Sequence, residues 1–141
     1  MGIDLHLLLH ALVVLLVGLL SGAPMGRAIN RNLGEDKVRA WRVAHSGLCM
    51  GGVMLIGISL VVGHLGLIGF SRSIVVYPAI ASGYGFAIGL PFGAITGHRG
   101  LRKQGSWQNG IVRWGNMIGA YGSLISTLGL IALVVQELFS R

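Results

Sequence analysis

The stretch VAHSGLCMGGVMLIGISLVV, residues 43–62, contains no Asp, Glu, Lys or Arg. A helix needs about 20 predominantly apolar residues to cross the hydrocarbon core of a bilayer. Three more apolar stretches are long enough to do the same, and the second stretch could continue to residue 70. The predicted helices therefore span about 5–23, 43–70, 74–95 and 114–136. The sequence predicts an all-α integral membrane protein in which residues 1–141 form a single bundle of four transmembrane helices.

The overall composition supports the same class. Hydrophobic residues make up 53% of the chain and charged residues only 11%, whereas soluble domains carry about 25% charged residues. A formal net charge of +7 would suggest nucleic acid as a partner of a soluble protein. Basic residues of membrane proteins instead collect in cytoplasmic loops. We therefore expect the lipid bilayer, and no nucleic acid, as the partner of this basic chain.

The basic residues are distributed unevenly along the chain. Nine of the eleven lie in the first and third connections between the predicted helices: Arg27, Arg31, Lys37, Arg39, Arg42, Arg99, Arg102, Lys103 and Arg113. Arg72 and Arg141 are the other two. Because Lys and Arg favour the cytoplasmic side, these two connections are predicted to be cytoplasmic and both termini to lie outside. The membrane is expected to be a bacterial inner membrane.

Glycine is unusually abundant, with 24 residues in 141. Small residues recur at four-residue spacing in three of the predicted helices: Gly47 and Gly51; Gly85, Gly89 and Gly93; Gly115, Gly119 and Ser123. Such rows let transmembrane helices approach closely. There are more rows than a four-helix monomer needs, which is consistent with an oligomer.

His45, near the start of the second predicted helix, is the outstanding polar residue. A neutral imidazole is a common metal ligand, and haem iron is often held by one histidine. Arg39 and Arg42 could meet haem propionates, and Trp41 could meet the porphyrin edge. Spacing alone favours another interpretation, an interfacial histidine bonded to a backbone carbonyl beside Trp41 as a belt residue.

The residues around His45 carry a family resemblance. Ala44-His45-Ser46-Gly47, preceded by Trp41 and followed by Gly52 and Met54, resembles the second helix of the styrene oxide isomerase family. Other segments agree more loosely: His10 in the first helix, Gly85-Phe86 with the downstream Arg99-Gly100-Leu101, and Ala120-Tyr121 in the fourth helix.

The resemblance implies a homotrimer with four transmembrane helices per chain and haem b at the subunit interfaces. His45 would be the axial iron ligand, with Trp41, Arg42 and Ser46 around the cofactor. Ferric iron would act as a Lewis acid that converts a small apolar epoxide to a carbonyl compound without net redox change.

Two positions depart from the family pattern. The family has Asn six residues after the axial histidine, where this chain has Gly51, and Tyr after the Gly-Phe pair, where it has Ala87. Both family residues help to orient the epoxide. We expect Tyr84, Asn116 or Tyr121 to orient the substrate oxygen in their place.

Two other functions remain open at the level of sequence. One is a haem-b membrane protein with a sensing, carrier or redox role and no isomerase activity. An electron-transfer haem usually has two axial ligands, and only His10 and Met50 are nearby candidates. The other is a helical membrane protein without a cofactor.

Overall fold

The computed structural model describes residues 2–101 and 105–140. Its secondary structure consists of five α-helices: α1 (Leu5–Leu20), α2 (Gly22–Asn30), α3 (Glu35–His64), α4 (Gly69–Thr96) and α5 (Trp107–Ser140). Four helical segments are long and apolar enough to cross a membrane, with α1 and α2 together forming the first. The prediction of an all-α chain with four membrane-spanning segments is confirmed.

The first segment is bent where the sequence changes from α1 to α2. Pro24 has no N–H to donate to the carbonyl four residues earlier, and its ring crowds that carbonyl. The helix is interrupted at Ser21 and resumes at Gly22. Helical structure then continues to Asn30, past the predicted end at residue 23.

The other predicted bounds followed hydropathy and missed local backbone geometry. α3 ends at His64 instead of residue 70, because Gly66 and Gly69 adopt φ values of +61° and +56° that glycine tolerates best. α3 also begins earlier than predicted, at Glu35, where acidic residues in the first turn favour a helix N-terminus. α4 and α5 likewise extend beyond their apolar runs.

The helices pack around α4, which contacts α1, α3 and α5. Within the described residues α5 packs only against α4, and α3 and α5 do not meet. A groove therefore runs along the bundle with α4 as its floor and with α3 and α5 as its walls. We call it the α3–α5 groove.

The two ends of the bundle are held differently. At the Asp4 end, the Asp4 carboxylate accepts hydrogen bonds from the N–H of Leu7 at 2.9 Å and from the Arg72 guanidinium, while the Asp4 N–H donates to the Ser59 carbonyl at 3.1 Å. These bonds join α1, α3 and α4. The hydrogen bonds from Arg72 lower the pKa of Asp4 below its ordinary value, although burial acts in the opposite direction.

At the Lys37 end, the first and third connections come together. Lys37 Nζ donates to the carbonyls of Ala94 and Ile95 at 2.6 and 2.9 Å, which caps the last turn of α4. Arg99 Nη2 lies 3.2 Å from Asp36 Oδ1. The two basic connections thus share one end of the bundle, although Arg102 and Lys103 lie outside the described residues, as does Arg141 at the C-terminus. The cytoplasmic location of this end stays a prediction.

Candidate functional site

His45 is fixed in one tautomer by the first helix. Its Nδ1 lies 2.8 Å from the carbonyl oxygen of Gly18. A carbonyl can only accept, so Nδ1 carries a hydrogen and donates it. In the neutral ring the lone pair is then on Nε2. Histidines that bind metals usually donate their other ring N–H in this way, to a carbonyl or a carboxylate. A bond to a backbone carbonyl is also what the interpretation of His45 as an interfacial histidine predicted, so the partly exposed ring fits both interpretations.

Two glycines make room for this contact. A Cβ atom on Gly18 would lie 2.7 Å from the backbone nitrogen of Cys49, and one on Gly22 would lie 3.3 Å from the His45 ring. The absence of both side chains lets α3 approach the bend between α1 and α2. His45 rests against this bend because glycines occupy both positions.

The other residues predicted to hold a cofactor lie within one turn of His45 on α3. Arg42 and Ser46 are exposed and Trp41 is partly buried. The Ser46 hydroxyl donates to the Arg42 carbonyl at 2.7 Å, within its own helix. A spacing of four residues puts Trp41 one turn before His45 on the same face of α3, and Arg42 one turn before Ser46. All four side chains therefore share one region of α3.

The three residues predicted to orient the substrate are not brought together. The Tyr84 hydroxyl lies 2.8 Å from Nδ1 of His10 in α1. Asn116 lines the α3–α5 groove, with its Oδ1 buried and without a hydrogen-bond partner. Tyr121 is 60% exposed on the outer surface of α5. The three side chains therefore do not form one site: Asn116 lines the groove, whereas Tyr84 lines a separate cavity between α4 and α5.

The α3–α5 groove contains two cavities at different depths. The cavity nearer the Lys37 end has a volume of about 550 Å³, and its lining includes the polar residues Lys37, Arg39, Arg99 and Asn116 beside apolar ones. We call it the polar chamber. The second cavity has a volume of about 380 Å³. Its walls include Gly47, Gly51, Met54, Phe86 and Ser126, and we call it the apolar chamber.

His45 and this groove belong to different sides of α3. His45 lines neither chamber, whereas Gly51 lines the apolar one. Six residues of helix place the two positions about 120° apart around the axis. Buried residues such as Leu48 and Gly52 occupy the narrower arc between them. The wider arc holds exposed residues that include Val53 and Met50, of which Met50 also lines the apolar chamber.

Comparison with known proteins agrees with these features. A model of the styrene oxide isomerase family matches residues 3–135, nearly the whole chain. The chain belongs to the styrene oxide isomerase family. No curated protein and no solved structure gives a significant match. Membership confirms the family predicted from the residues around His45 and supports an isomerase-type function.

The two departures from the styrene oxide isomerase pattern have different surroundings. Gly51 lines the apolar chamber, and a Cβ atom built on it would meet nothing within 4 Å. Ala87 packs against the hydrophobic core formed by α1, α3 and α4. The first departure thus leaves open space in the groove, and the second is covered by packing.

The apolar chamber also contains a polar residue that was not predicted. Ser126 is only 1% exposed, and its hydroxyl has no hydrogen-bond partner. Its position in the apolar sequence of α5 was the available signal, since polar groups inside membrane segments are costly and often functional. Sequence alone did not separate Ser126 from the other serines of the predicted helices.

Proposed function

We propose that this protein binds haem b through His45 and isomerises small apolar epoxides to carbonyl compounds. The observation that supports this most directly is the hydrogen bond from His45 Nδ1 to the Gly18 carbonyl. This bond orients the partly exposed ring and, in its neutral form, makes Nε2 the nitrogen with the lone pair. Membership of the styrene oxide isomerase family supplies the reaction class.

The residues near His45 suit a haem. Arg42 is exposed within one turn of His45, so it can pair with a propionate. Arg39 is exposed too, but it lines the polar chamber of the groove. Trp41 offers an aromatic surface to the edge of the macrocycle. When bound, ferric iron would supply Lewis acidity toward an epoxide oxygen. The Gly18 carbonyl orients the ring through Nδ1, which leaves Nε2 as the nitrogen that would bind iron.

We further propose that each site is shared between subunits of a homotrimer. One chain presents His45 and the groove on different sides of α3, with an exposed apolar face between them. If that face packs against the groove of the next subunit, His45 of one chain comes close to the chambers of another. Such a head-to-tail contact closes into a ring when the rotation permits.

Of the three residues expected to orient the substrate, Asn116 is the one that lines the groove. Its Nδ2, which carries two hydrogens and already lies 3.5 Å from the Arg99 carbonyl, is the proposed donor from the polar chamber. Tyr84 is paired with His10 and Tyr121 is exposed. Either tyrosine would act on substrate only where a neighbouring subunit covers it.

The experiment is the absorption spectrum of the purified protein, followed by an epoxide assay. The wild type should show a Soret band, and His45→Ala should lose most of it because the iron–nitrogen bond is deleted. The matched control is His64→Ala, since His64 is an exposed histidine at the other end of the same helix. An unchanged Soret band in His45→Ala would rule out the ligand assignment.

A second candidate is a haem-b protein without isomerase activity. It is favoured by one observation, the loss of the family's polar side chains at Gly51 and Ala87. A panel of aryl and alkyl epoxides separates the two functions. Aldehyde formation supports the isomerase, and haem binding without any aldehyde supports a sensing, carrier or redox role.

A further inference from the structure

Ser126 differs from most hydroxyl residues in the described helices. Ser and Thr within helices usually donate to a carbonyl of their own preceding turn. Ser46, Ser73, Thr96 and Ser123 do so at 2.7–2.9 Å. The Ser126 hydroxyl makes no such bond although the residue is 99% buried. A buried hydroxyl without a partner is unfavourable, so its retention requires an explanation.

The surroundings of Ser126 provide one. The residue lines the apolar chamber, whose volume of about 380 Å³ falls in the range of about 300–1,000 Å³ that small-molecule sites occupy. Such sites are mostly apolar and contain a few polar groups that orient the ligand. Small residues such as Gly47, Gly51 and Ala79 keep the space open, and Met54 and Phe86 supply apolar walls.

The other buried serine of the chamber is already engaged as a donor. The Ser82 hydroxyl donates to the Gly119 carbonyl at 2.7 Å and joins α4 to α5. The Ser123 hydroxyl, which is partly exposed, donates to the Ala120 carbonyl at 2.9 Å. Thr127 is exposed at the edge of the chamber. Among the described residues, Ser126 is therefore the buried hydroxyl of this chamber whose donor is unused.

We propose that the apolar chamber binds a small apolar molecule with one hydrogen-bond acceptor, and that the Ser126 hydroxyl donates to this acceptor. Identifying the acceptor as an epoxide oxygen rests on the proposed function. In that case Ser126 on α5 supplies a hydrogen bond that the family draws from α3, at the position of Gly51. The substrates would be small epoxides whose remaining surface is apolar.

The test uses the full-length, haem-free protein in lipid nanodiscs and two probes of similar shape. Acetophenone carries a carbonyl acceptor, and ethylbenzene lacks it. Binding is measured by equilibrium dialysis against empty nanodiscs, and the carbonyl stretch of bound acetophenone by infrared difference spectroscopy. The variants are Ser126→Ala and the matched control Ser123→Ala, whose hydroxyl is satisfied by its own helix.

The expected result is selective. Ser126→Ala should weaken acetophenone binding about three- to tenfold, the effect of one hydrogen bond, and leave ethylbenzene binding unchanged. The carbonyl stretch should lie at lower frequency in the wild type and in Ser123→Ala than in Ser126→Ala. Thermal unfolding of Ser126→Ala should match the wild type, because the hydroxyl contributes no bond to the fold.

Three results would overturn the proposal. Equal acetophenone affinity and an equal carbonyl stretch in the wild type and Ser126→Ala would mean that the hydroxyl does not bind the acceptor. Unchanged binding to Gly51→Leu, which fills the chamber, would place the probe elsewhere. No probe binding to any variant would mean that lipid chains or a second copy of this chain fill the chamber. Because haem is absent throughout, failure of the isomerase proposal would not alter these outcomes.

Discussion

The α4–α5 contact and the α3–α5 groove are both lined with glycine, yet one is closed and the other is open. A Cβ atom on Gly85 would lie 2.7 Å from the carbonyl oxygen of Gly115, and one on Gly115 would lie 2.8 Å from that of Gly85. In the groove, a Cβ atom on Gly51 would meet nothing within 4 Å. Similar spacing in the sequence therefore serves close backbone packing in one region and leaves empty space in the other.

The difference between closed and open glycine rows indicates which surfaces a neighbouring subunit could contact. The rows at Gly85 and Gly89 and at Gly115 and Gly119 are used inside one chain, where they bring α4 and α5 together. The row at Gly47 and Gly51 faces the groove and has no helix packed closely on it. This last row is therefore open to a ligand or to a neighbouring subunit along its length.

Introducing a leucine into each of the two regions should give the largest difference in stability. Gly115→Leu places its Cβ atom against the backbone of Gly85 and Gly89, so the helices must separate. We expect a loss of about 3 kcal/mol or more in the free energy of unfolding. Gly51→Leu should retain near wild-type stability. Thermal unfolding in detergent measures the stability of both variants. Equal stability would contradict the distinction between a closed α4–α5 contact and an open groove.

A smaller loss of stability is expected at the Asp4 end of the bundle. There, hydrogen bonds join α1, α3 and α4 but do not include α5. Asp4→Asn removes the charged acceptor of the Arg72 hydrogen bonds, which should cost about 1.5–3 kcal/mol of stability. The wild type should lose this contribution on acidification. Because the folded-state pKa of Asp4 lies below its ordinary value of 3.8, the stabilisation is present above pH 3.8 and disappears as the pH falls through the lowered value.

Unfolding measured at pH 6 and at pH 3 distinguishes this effect from general acid sensitivity. The difference in stability between the wild type and Asp4→Asn should shrink at the lower pH. A difference that does not change with pH would mean that the carboxylate charge contributes nothing. The groove should keep its probe binding in this variant, since Asp4 does not line either chamber.

The smallest expected change is in the activation free energy of epoxide turnover. Gly51→Asn introduces into the apolar chamber the amide that the family carries six residues after its axial histidine. The site has room for it, and we expect epoxide turnover to rise about tenfold, or about 1.4 kcal/mol in transition-state energy. The control is Gly57→Asn, at another unobstructed glycine of α3. An equal change in both variants would show that the chamber is not the substrate site.

Hydropathy was sufficient to predict the four membrane-spanning segments, because each apolar run is as long as the bilayer is thick. It could not place the ends of α3 or the bend after Leu20, which depend on backbone freedom at Gly66 and on the missing N–H of Pro24. The roles of Trp41, Arg42 and Ser46 around a cofactor at His45 come from the family resemblance and stay predictions.

The contacts of the site depend on which helices face each other, and sequence spacing does not specify this. The bond from His45 to the Gly18 carbonyl joins residues 27 positions apart. The same limitation explains why Tyr84, Asn116 and Tyr121 were grouped although the structure does not bring them together in one cavity. Ser126 was missed because only the packed structure distinguishes an unused hydroxyl from one bonded to its own helix.

The most direct test of a site shared between subunits is complementation between two inactive variants. His45→Ala removes the ligand, and Gly51→Trp fills the apolar chamber with a large side chain. Each variant alone should form no aldehyde from an epoxide. Coexpressed with different affinity tags and purified through both, they should recover activity, because some interfaces combine an intact His45 with an intact groove. A mixed assembly that contains both chains and still forms no aldehyde would contradict the account.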